Sequence, residues 1–239
     1  SKYFEQLFSL QHFFIFQILV VISCIIYNTL KNNLIKFGKV KKIFLTSYKN
    51  SIYLILNASI FFIIMHYAKI YSYNFLPEEE MTKVSFILRI MLAIQVIHGI
   101  YTNYYYEKFF RTSIKKFDFK IIFNYLFLLF ISVAIIVLLY PFITKLFNLN
   151  YKMDIMFFLI LGYTTLWCVA AFFEQYLNKS YKNKYILFYS LFSLTVYLGV
   201  ILFLVNTDML IRICIAMLAS ILVYFILIFK KVLSIKHVK

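Results

Sequence analysis

The chain of 239 residues is too apolar for a water-soluble protein. Hydrophobic residues make up 64% of it and charged residues 14%, and its mean hydropathy is +0.85. Soluble domains contain about 25% charged residues. A chain of this length cannot hide so much apolar surface from water, so lipid must be its solvent. The net charge of +16 would suggest nucleic-acid binding if the cations formed one basic surface in water. Their distribution along the chain indicates membrane topology instead.

Apolar runs near the ~20-residue length that spans hydrocarbon are predicted to be transmembrane helices. They lie at 8–30, 51–76, 84–106, 119–140, 153–177, 185–205 and 209–229. Their continuity favours helices over the alternating strands of a membrane barrel. We therefore predict an all-α integral membrane protein with about seven transmembrane helices. Residues 1–50 would hold the first span and a basic cytoplasmic connector, and residues 51–239 a six-helix lobe.

The cations are concentrated on one predicted side of the membrane. Alternate connectors and the C-terminal tail hold 18 of the 25 Lys and Arg residues, the other side holds four, and three lie within spans. The positive-inside rule then predicts an external N-terminus and a cytoplasmic C-terminus. Anionic lipids of the inner leaflet are the expected partner of these cations, and nucleic acid is not. The N-terminal region lacks the features of a secretory signal. Because the chain starts at Ser1, either its initiator methionine was removed or it is a fragment, and an external N-terminus without a signal favours the fragment.

Several connector features carry specific expectations. The segment 31–50, with six lysines among apolar residues, predicts either a basic amphipathic helix on the inner leaflet or a solvated loop. The acidic run at 77–80 is interpreted as a solvated outer loop, and Pro141 is expected to close the fourth span. The three cysteines have no disulfide or metal spacing and are predicted to be apolar packing residues. They are Cys24, Cys168 and Cys214.

The third span carries a polar stripe at helical spacing. Its members are Gln95, His98, Gly99, Thr102, Asn103 and Tyr106. Intramembrane polar residues usually face the protein interior or a water-filled cavity, and interhelical hydrogen bonding in a packed bundle is the alternative. Arg89 lies about 120° around the helix from Gln95, so it is off the centre of the stripe. It either lines a cavity or snorkels to the membrane surface. Arg212, near the outer end of the last span, is expected to snorkel.

Two further spans contain ionisable residues. His66 and Lys69 share one face of the second span, where they either bind a ligand or, for Lys69, snorkel outward. Glu174 lies near the inner end of the fifth span, close in sequence to Lys179 and Lys182. A local ion pair is one interpretation of Glu174, and a proton or cation site is the other. In the sixth span, three residues at helical spacing predict a helix–helix contact: Ser190, Ser193 and Tyr197.

Motifs of common enzyme classes are missing from the sequence. It contains no GxSxG, HExxH, CxxC, P-loop or glycine-rich dinucleotide fingerprint. The histidines at 12, 66, 98 and 237 do not pair at ligand spacing. A rhodopsin-like protein would need a lysine midway along the last span, and residues 213–229 contain none. We therefore predict a protein that is not an enzyme and needs no metal or cofactor.

Three short stretches resemble bacterial polysaccharide and O-antigen flippases of the multidrug/oligosaccharidyl-lipid/polysaccharide exporter superfamily. "LLYPFITKLFNLNY" (138–151) resembles a span end with its proline and outer loop, with Asn148 where glycine is usual. "FFEQYLNKSYKNKYIL" (172–187) is similar to the inner loop between helices ten and eleven, and "KVSFILRIML" (83–92) to the eighth helix. The resemblance implies either the C-terminal lobe, plus one helix, of a twelve-helix protein or a shortened relative. In the first case, the missing N-terminal lobe would be a partner.

The resemblance also implies a function. Such proteins move an undecaprenyl-pyrophosphate-linked oligosaccharide across the bacterial inner membrane for lipopolysaccharide and other surface polysaccharides. Arg89 matches a cationic position that holds the pyrophosphate, as a guanidinium fork can. The expected contacts to the sugar hydroxyls come from Gln95, His98, Thr102 and Asn103, with His66 and Lys69 as further candidates.

Two alternatives remain at this stage. A multidrug or cation antiporter of the same superfamily needs a buried carboxylate, for which Glu174 is the candidate within a span. A membrane-embedded polysaccharide polymerase or glycosyltransferase needs a large outer loop, and the longest predicted outer connector has about fourteen residues. A glycosyltransferase would form new glycosidic bonds, which a flippase does not.

Overall fold

The computed structural model describes residues 37–111, 119–149, 151–179 and 182–235, and within these ranges the regular structure is helical with no strand. The helices are α1 (Phe37–Phe75), α2 (Glu78–Arg111), α3 (Phe119–Leu146), α4 (Ile155–Lys179), α5 (Asn183–Phe203) and α6 (Met209–Ile235). The chain divides into two units after Lys49, and α1 runs through this boundary. All packing described below lies within the second unit, Asn50–Lys239.

The described helices include six segments long and apolar enough to cross a membrane. These segments are Ser51–Phe75, Glu78–Tyr105, Lys120–Leu146, Ile155–Lys179, Asn183–Phe203 and Met209–Ser234. They confirm the helical membrane class and six of the predicted spans as helices. The predicted first span, 8–30, lies outside the described residues, as does Cys24.

Helix α1 begins inside the basic connector. Residues 37–50 are helical and continue directly into the span that starts at Ser51. For this part of the connector the solvated-loop prediction is therefore wrong, and the helical alternative fits the backbone. A helix that continues in this way satisfies its backbone groups internally as it approaches hydrocarbon.

The acidic run 77–80 is not a loop, contrary to the sequence-based interpretation. Helix α2 begins at Glu78, so the three glutamates form its first turn. The Met81 N–H donates to the Pro77 carbonyl at 3.0 Å, which makes Pro77 the residue that opens the helix. Carboxylates are favourable in a first turn because they face the positive end of the helix dipole. The connector between α1 and α2 is thereby reduced to Leu76 and Pro77.

The prediction that the fourth span closes at Pro141 is also wrong, because α3 passes through this proline and ends at Leu146. The helix is closed instead by Asn148, which has a φ of 53°. The Leu149 N–H donates to the Thr144 carbonyl at 2.8 Å, and the Asn148 N–H to the Lys145 carbonyl at 3.1 Å. This pair of bonds is a Schellman motif, in which glycine or asparagine takes the left-handed position. It explains the asparagine where a glycine is usual.

Helix α4 is central to the described bundle, and it packs against α2, α3, α5 and α6. Half of the residues in its most apolar stretch are buried, whereas the corresponding share is 22% in α3 and in α5. Its buried face includes Phe157, Ile160, Cys168 and Phe172. Cys168 and Cys214 are buried free thiols, which confirms their predicted role in packing. Side chains carried by α4 are therefore well placed to link several helices.

The predicted contact on the sixth span is confirmed between α5 and α6. Ser190, Ser193 and Tyr197 are all buried, and the Ser193 hydroxyl donates to the Ser220 carbonyl at 2.8 Å. Small hydroxyl residues allow two helices to approach closely and exchange such a bond.

Candidate functional site in the membrane-spanning helices

A first polar cluster joins α2, α3 and α4. The Nδ1 atom of His98 lies 2.7 Å from the Tyr125 hydroxyl oxygen, which lies 2.9 Å from the Cys168 carbonyl oxygen. His98 is 8% exposed and Tyr125 is 1% exposed. The Tyr125 ring also stacks on Phe172 with centroids 4.2 Å apart. His98 is thus held within the helical bundle by hydrogen bonding and aromatic packing.

The hydrogen bonds fix the arrangement of protons in this cluster. A backbone carbonyl can only accept, so the single hydrogen of the Tyr125 hydroxyl is donated to Cys168. The hydroxyl oxygen must then accept from His98, which places a hydrogen on Nδ1. The neutral imidazole consequently keeps an acceptor at Nε2. Of the two sequence-based alternatives for the stripe, the His98 contacts correspond to interhelical hydrogen bonding.

The rest of the polar stripe does not converge on one point. Gln95 is half-buried and its Nε2 atom lies 3.9 Å from the Met65 sulfur on α1. Thr102 donates to the carbonyls of His98 and Gly99 on its own helix. Asn103 is exposed. The stripe therefore divides among the α1 side, the helix backbone and the bundle surface.

Arg89 on α2 and Lys69 on α1 are both exposed and lie at similar depths. The contact between Gln95 and Met65 sets the register of these two helices. Lys69 lies four residues beyond Met65 on α1, and Arg89 lies six residues before Gln95 on α2, both toward the connector between the two helices. At 1.5 Å per residue their depths differ by ~3 Å. Both side chains are exposed and lie outside the buried stripe of their helices. None of the described side chains forms an ion pair with Arg89.

His66 stands one turn before this level on α1. It is half-buried, and its ring lies 4.1 Å from that of Phe62 on the same helix. The predicted site residues thus fall into two groups. His98 belongs to the packed interior, and Arg89, Lys69 and Asn103 are exposed. The half-buried residues Gln95, Thr102 and His66 lie between these groups.

A second polar cluster, which we call the Glu174 ring, joins α1, α4 and α6. The Tyr224 hydroxyl oxygen lies 2.7 Å from Glu174 Oε1 and 3.1 Å from Asn57 Oδ1. Asn57 Nδ2 lies 3.4 Å from Glu174 Oε2. Tyr224 and Asn57 are buried and Glu174 is half-buried. The contacts described for the Glu174 carboxyl are with these two residues, and the predicted ion pair with Lys179 or Lys182 is not among them.

Sequence reasoning singled out Glu174 but missed its partners. Asn57 and Tyr224 are 167 positions apart, and neither falls in a motif. A usable signal was present in α1, because Asn57 is an amide in the apolar run IYLILNASIFF. Such residues in a span usually have a polar partner on another helix.

Arg212 forms contacts at the other end of the bundle. Its guanidinium donates to the carbonyls of Val205 and Thr207, and to that of Ile201 at 3.5 Å. Asp208 Oδ1 accepts from the N–H groups of Leu210 and Ile211 at the start of α6. Arg212 therefore binds carbonyls in the last turn of α5 and in the connector to α6, and the snorkelling expected of it stays a prediction.

An ion pair joins the beginnings of α2 and α4, where Lys83 contacts Asp154. No group of three or more metal-ligating side chains occurs among the described residues. Comparison of the chain with protein-family models, characterised proteins and solved structures finds no match. Its function is accordingly argued from the residues above.

Proposed function

We propose that the protein is a membrane transporter that moves a lipid-linked oligosaccharide across the bacterial inner membrane, without covalent chemistry on its cargo. The proposed cargo is an oligosaccharide on undecaprenyl pyrophosphate, and the proposed process is surface polysaccharide synthesis. The observation that carries this proposal is Arg89, a permanent cation on the exposed surface of a membrane-spanning helix. A guanidinium is costly there unless it has an anionic partner.

The chemistry of this surface suits a pyrophosphate headgroup. Arg89 offers a planar fork that can bind two phosphate oxygens at once. Lys69 on α1 is a second exposed cation, and its depth along the helices differs from that of Arg89 by ~3 Å. Asn103 is exposed on α2 as well, and it offers an amide to sugar hydroxyls. A missing N-terminal lobe, which the resemblance implies, would cover this surface and enclose the cargo.

The remaining predicted site residues receive different roles in this proposal. His98 positions α2 against α3 through Tyr125, and Thr102 bonds the backbone of its own helix. Gln95 supports the contact between α1 and α2. His66, half-buried beside Lys69 on one face of α1, remains a candidate for cargo contact. Anionic inner-leaflet lipids remain the proposed partners of the basic connectors.

Transport of a fluorescent polyprenyl-pyrophosphate oligosaccharide in proteoliposomes tests the proposal. A membrane-impermeant quencher reports how fast the lipid reaches the outer leaflet. Arg89→Ala is expected to slow this exchange about tenfold or more, because hydrogen bonds to charged groups contribute ~1.5–3 kcal/mol. Arg89→Lys should retain part of the rate, since lysine keeps the charge but loses the fork.

Lys145→Ala is the matched control, because Lys145 is also an exposed cation but lies in the last turn of α3. It is expected to transport at the wild-type rate. Equal rates for Arg89→Ala and wild type at equal reconstitution would contradict the proposal. Formation of new glycosidic bonds during the assay would favour the polymerase or glycosyltransferase alternative.

A further inference from the structure

We propose that Glu174 is a proton-binding site, in which the bound proton completes a closed ring of hydrogen bonds among α1, α4 and α6. The inference concerns the Glu174 ring alone and does not depend on what the protein transports. It rests on the number of hydrogens that the three contacts need.

The ring has three polar contacts and, with an ionised carboxylate, two hydrogens. The contacts are Tyr224 to Glu174 at 2.7 Å, Tyr224 to Asn57 at 3.1 Å, and Asn57 to Glu174 at 3.4 Å. The Tyr224 hydroxyl supplies one hydrogen, and the Asn57 amide directs one N–H into the ring. A carboxylate supplies none. One of the three contacts then joins two acceptors.

A proton on Glu174 supplies the missing hydrogen. Glu174 Oε1–H donates to the Tyr224 oxygen, and the Tyr224 hydroxyl donates to Asn57 Oδ1. Asn57 Nδ2–H then donates to Glu174 Oε2, which closes the ring. Exchanging the oxygen and nitrogen of the Asn57 amide reverses the direction of the bonds. The two shorter contacts then each have a hydrogen, and the proton on the carboxyl supplies the one for the 3.4 Å contact between Asn57 and Glu174.

Because the ring is buried, a contact that lacks a hydrogen destabilises the folded protein. Tyr224 is fully buried and Asn57 is 6% exposed, so water has little access to compensate a contact between two acceptors. Buried polar atoms are almost always paired, and an unpaired one destabilises the folded state. Proton release from Glu174 therefore weakens a contact that ties α1 to α4 and α6.

No described cation replaces the proton as the partner of Glu174. The groups that act on its carboxyl are Tyr224 from α6 and Asn57 from α1. Lys179 lies about 140° around α4 from Glu174. Among the charged and titratable groups on the other helices packed against α4, Tyr101 and Tyr125 donate to the carbonyls of Ile121 and Cys168. Lys184 and Lys231 lie over the Tyr185 ring. Proton binding at Glu174 is thus local to the ring.

The position of Glu174 near the end of α4 places the site close to a source of protons. The residue is five positions from the end of α4 at Lys179, which corresponds to about 8 Å along the helix. By the charge distribution this is the cytoplasmic end. A carboxyl at this position can exchange its proton with the interface while Tyr224 stays fully buried.

Infrared difference spectroscopy of the reconstituted chain tests the proposal. The spectrum of wild type minus Glu174→Gln, recorded near neutral pH, is expected to contain the C=O band of a protonated carboxyl. The control is Glu80→Gln, which removes an exposed carboxyl in the first turn of α2 and should contribute carboxylate bands alone. Tyr224→Phe should shift the protonated band, because it removes the hydrogen-bond partner of that carboxyl.

A difference spectrum for Glu174 with carboxylate bands only would overturn the proposal. So would a carboxyl band that sodium chloride abolishes and choline chloride does not, which would assign the site to a metal cation. Glutamine keeps one N–H for Tyr224 and one carbonyl for Asn57, so Glu174→Gln is expected to fold. Failure of this variant to fold would also count against the ring. None of these readouts involves transport, so they are independent of the flippase proposal.

Discussion

His98 binds the Tyr125 hydroxyl across the interface of α2 and α3, with 2.7 Å between Nδ1 and the oxygen. Because Tyr125 donates its own hydrogen to Cys168 on α4, this one hydroxyl connects three helices. In lipid, where apolar surface alone does not hold helices together, such bonds and close packing stabilise the bundle.

The coupling between these two residues can be measured with a double-mutant cycle. His98→Phe and Tyr125→Phe each remove one partner while they keep an aromatic ring. Both are expected to lower the free energy of unfolding in detergent micelles, with a coupling energy of about 0.6–1.7 kcal/mol. Tyr104→Phe is the control, since Tyr104 is 80% exposed and should have no effect. Strictly additive effects of the two substitutions would show that the bond contributes nothing.

The glycines of α4 and α5 predict opposite responses to alanine. A Cβ added at Gly162 would lie 3.2 Å from Leu218 Cδ1 on α6, whereas one added at Gly199 meets nothing within 4 Å. Gly199→Ala is therefore expected to raise the free energy of unfolding by about 0.5–1 kcal/mol through backbone entropy. Gly162→Ala should be about 1 kcal/mol less stable than Gly199→Ala, because Leu218 must shift. Equal gains, measured by thermal unfolding, would contradict this close approach.

The sequence predicts the helices well and their ends less well. Long apolar runs leave few alternatives to a helix in lipid, and six of them lie where expected among the described residues. The acidic first turn at Glu78 and the passage through Pro141 were missed for a common reason. Charge and proline were interpreted as breaks, although carboxylates favour a helix start and membrane helices tolerate an internal proline because other groups can satisfy the freed carbonyl.

The polar contacts were less predictable than the helices that carry them. Helical spacing placed Gln95, His98 and Thr102 on one stripe, but it cannot say which helix each one meets. His98 meets α3, and Gln95 meets α1. Glu174 was recognised as unusual, yet its bonds to Asn57 and Tyr224 depend on how distant helices pack. Sequence spacing within one helix does not encode that information.

Arg212 and Arg89 make a matched pair for a last prediction, since both are arginines within spans but differ in their surroundings. The guanidinium of Arg212 binds one carbonyl in the last turn of α5 and two in the connector that follows it, whereas Arg89 is exposed. Arg212→Met should lower the free energy of unfolding by about 2 kcal/mol, because it leaves partly buried carbonyls without a charged donor. Arg89→Met should leave stability near the wild-type value. Thermal unfolding in detergent distinguishes them, and equal melting temperatures would mean that Arg212 does not close α5. A stable Arg89→Met protein would also ensure that any transport loss at this position reflects cargo binding, because folding would be intact.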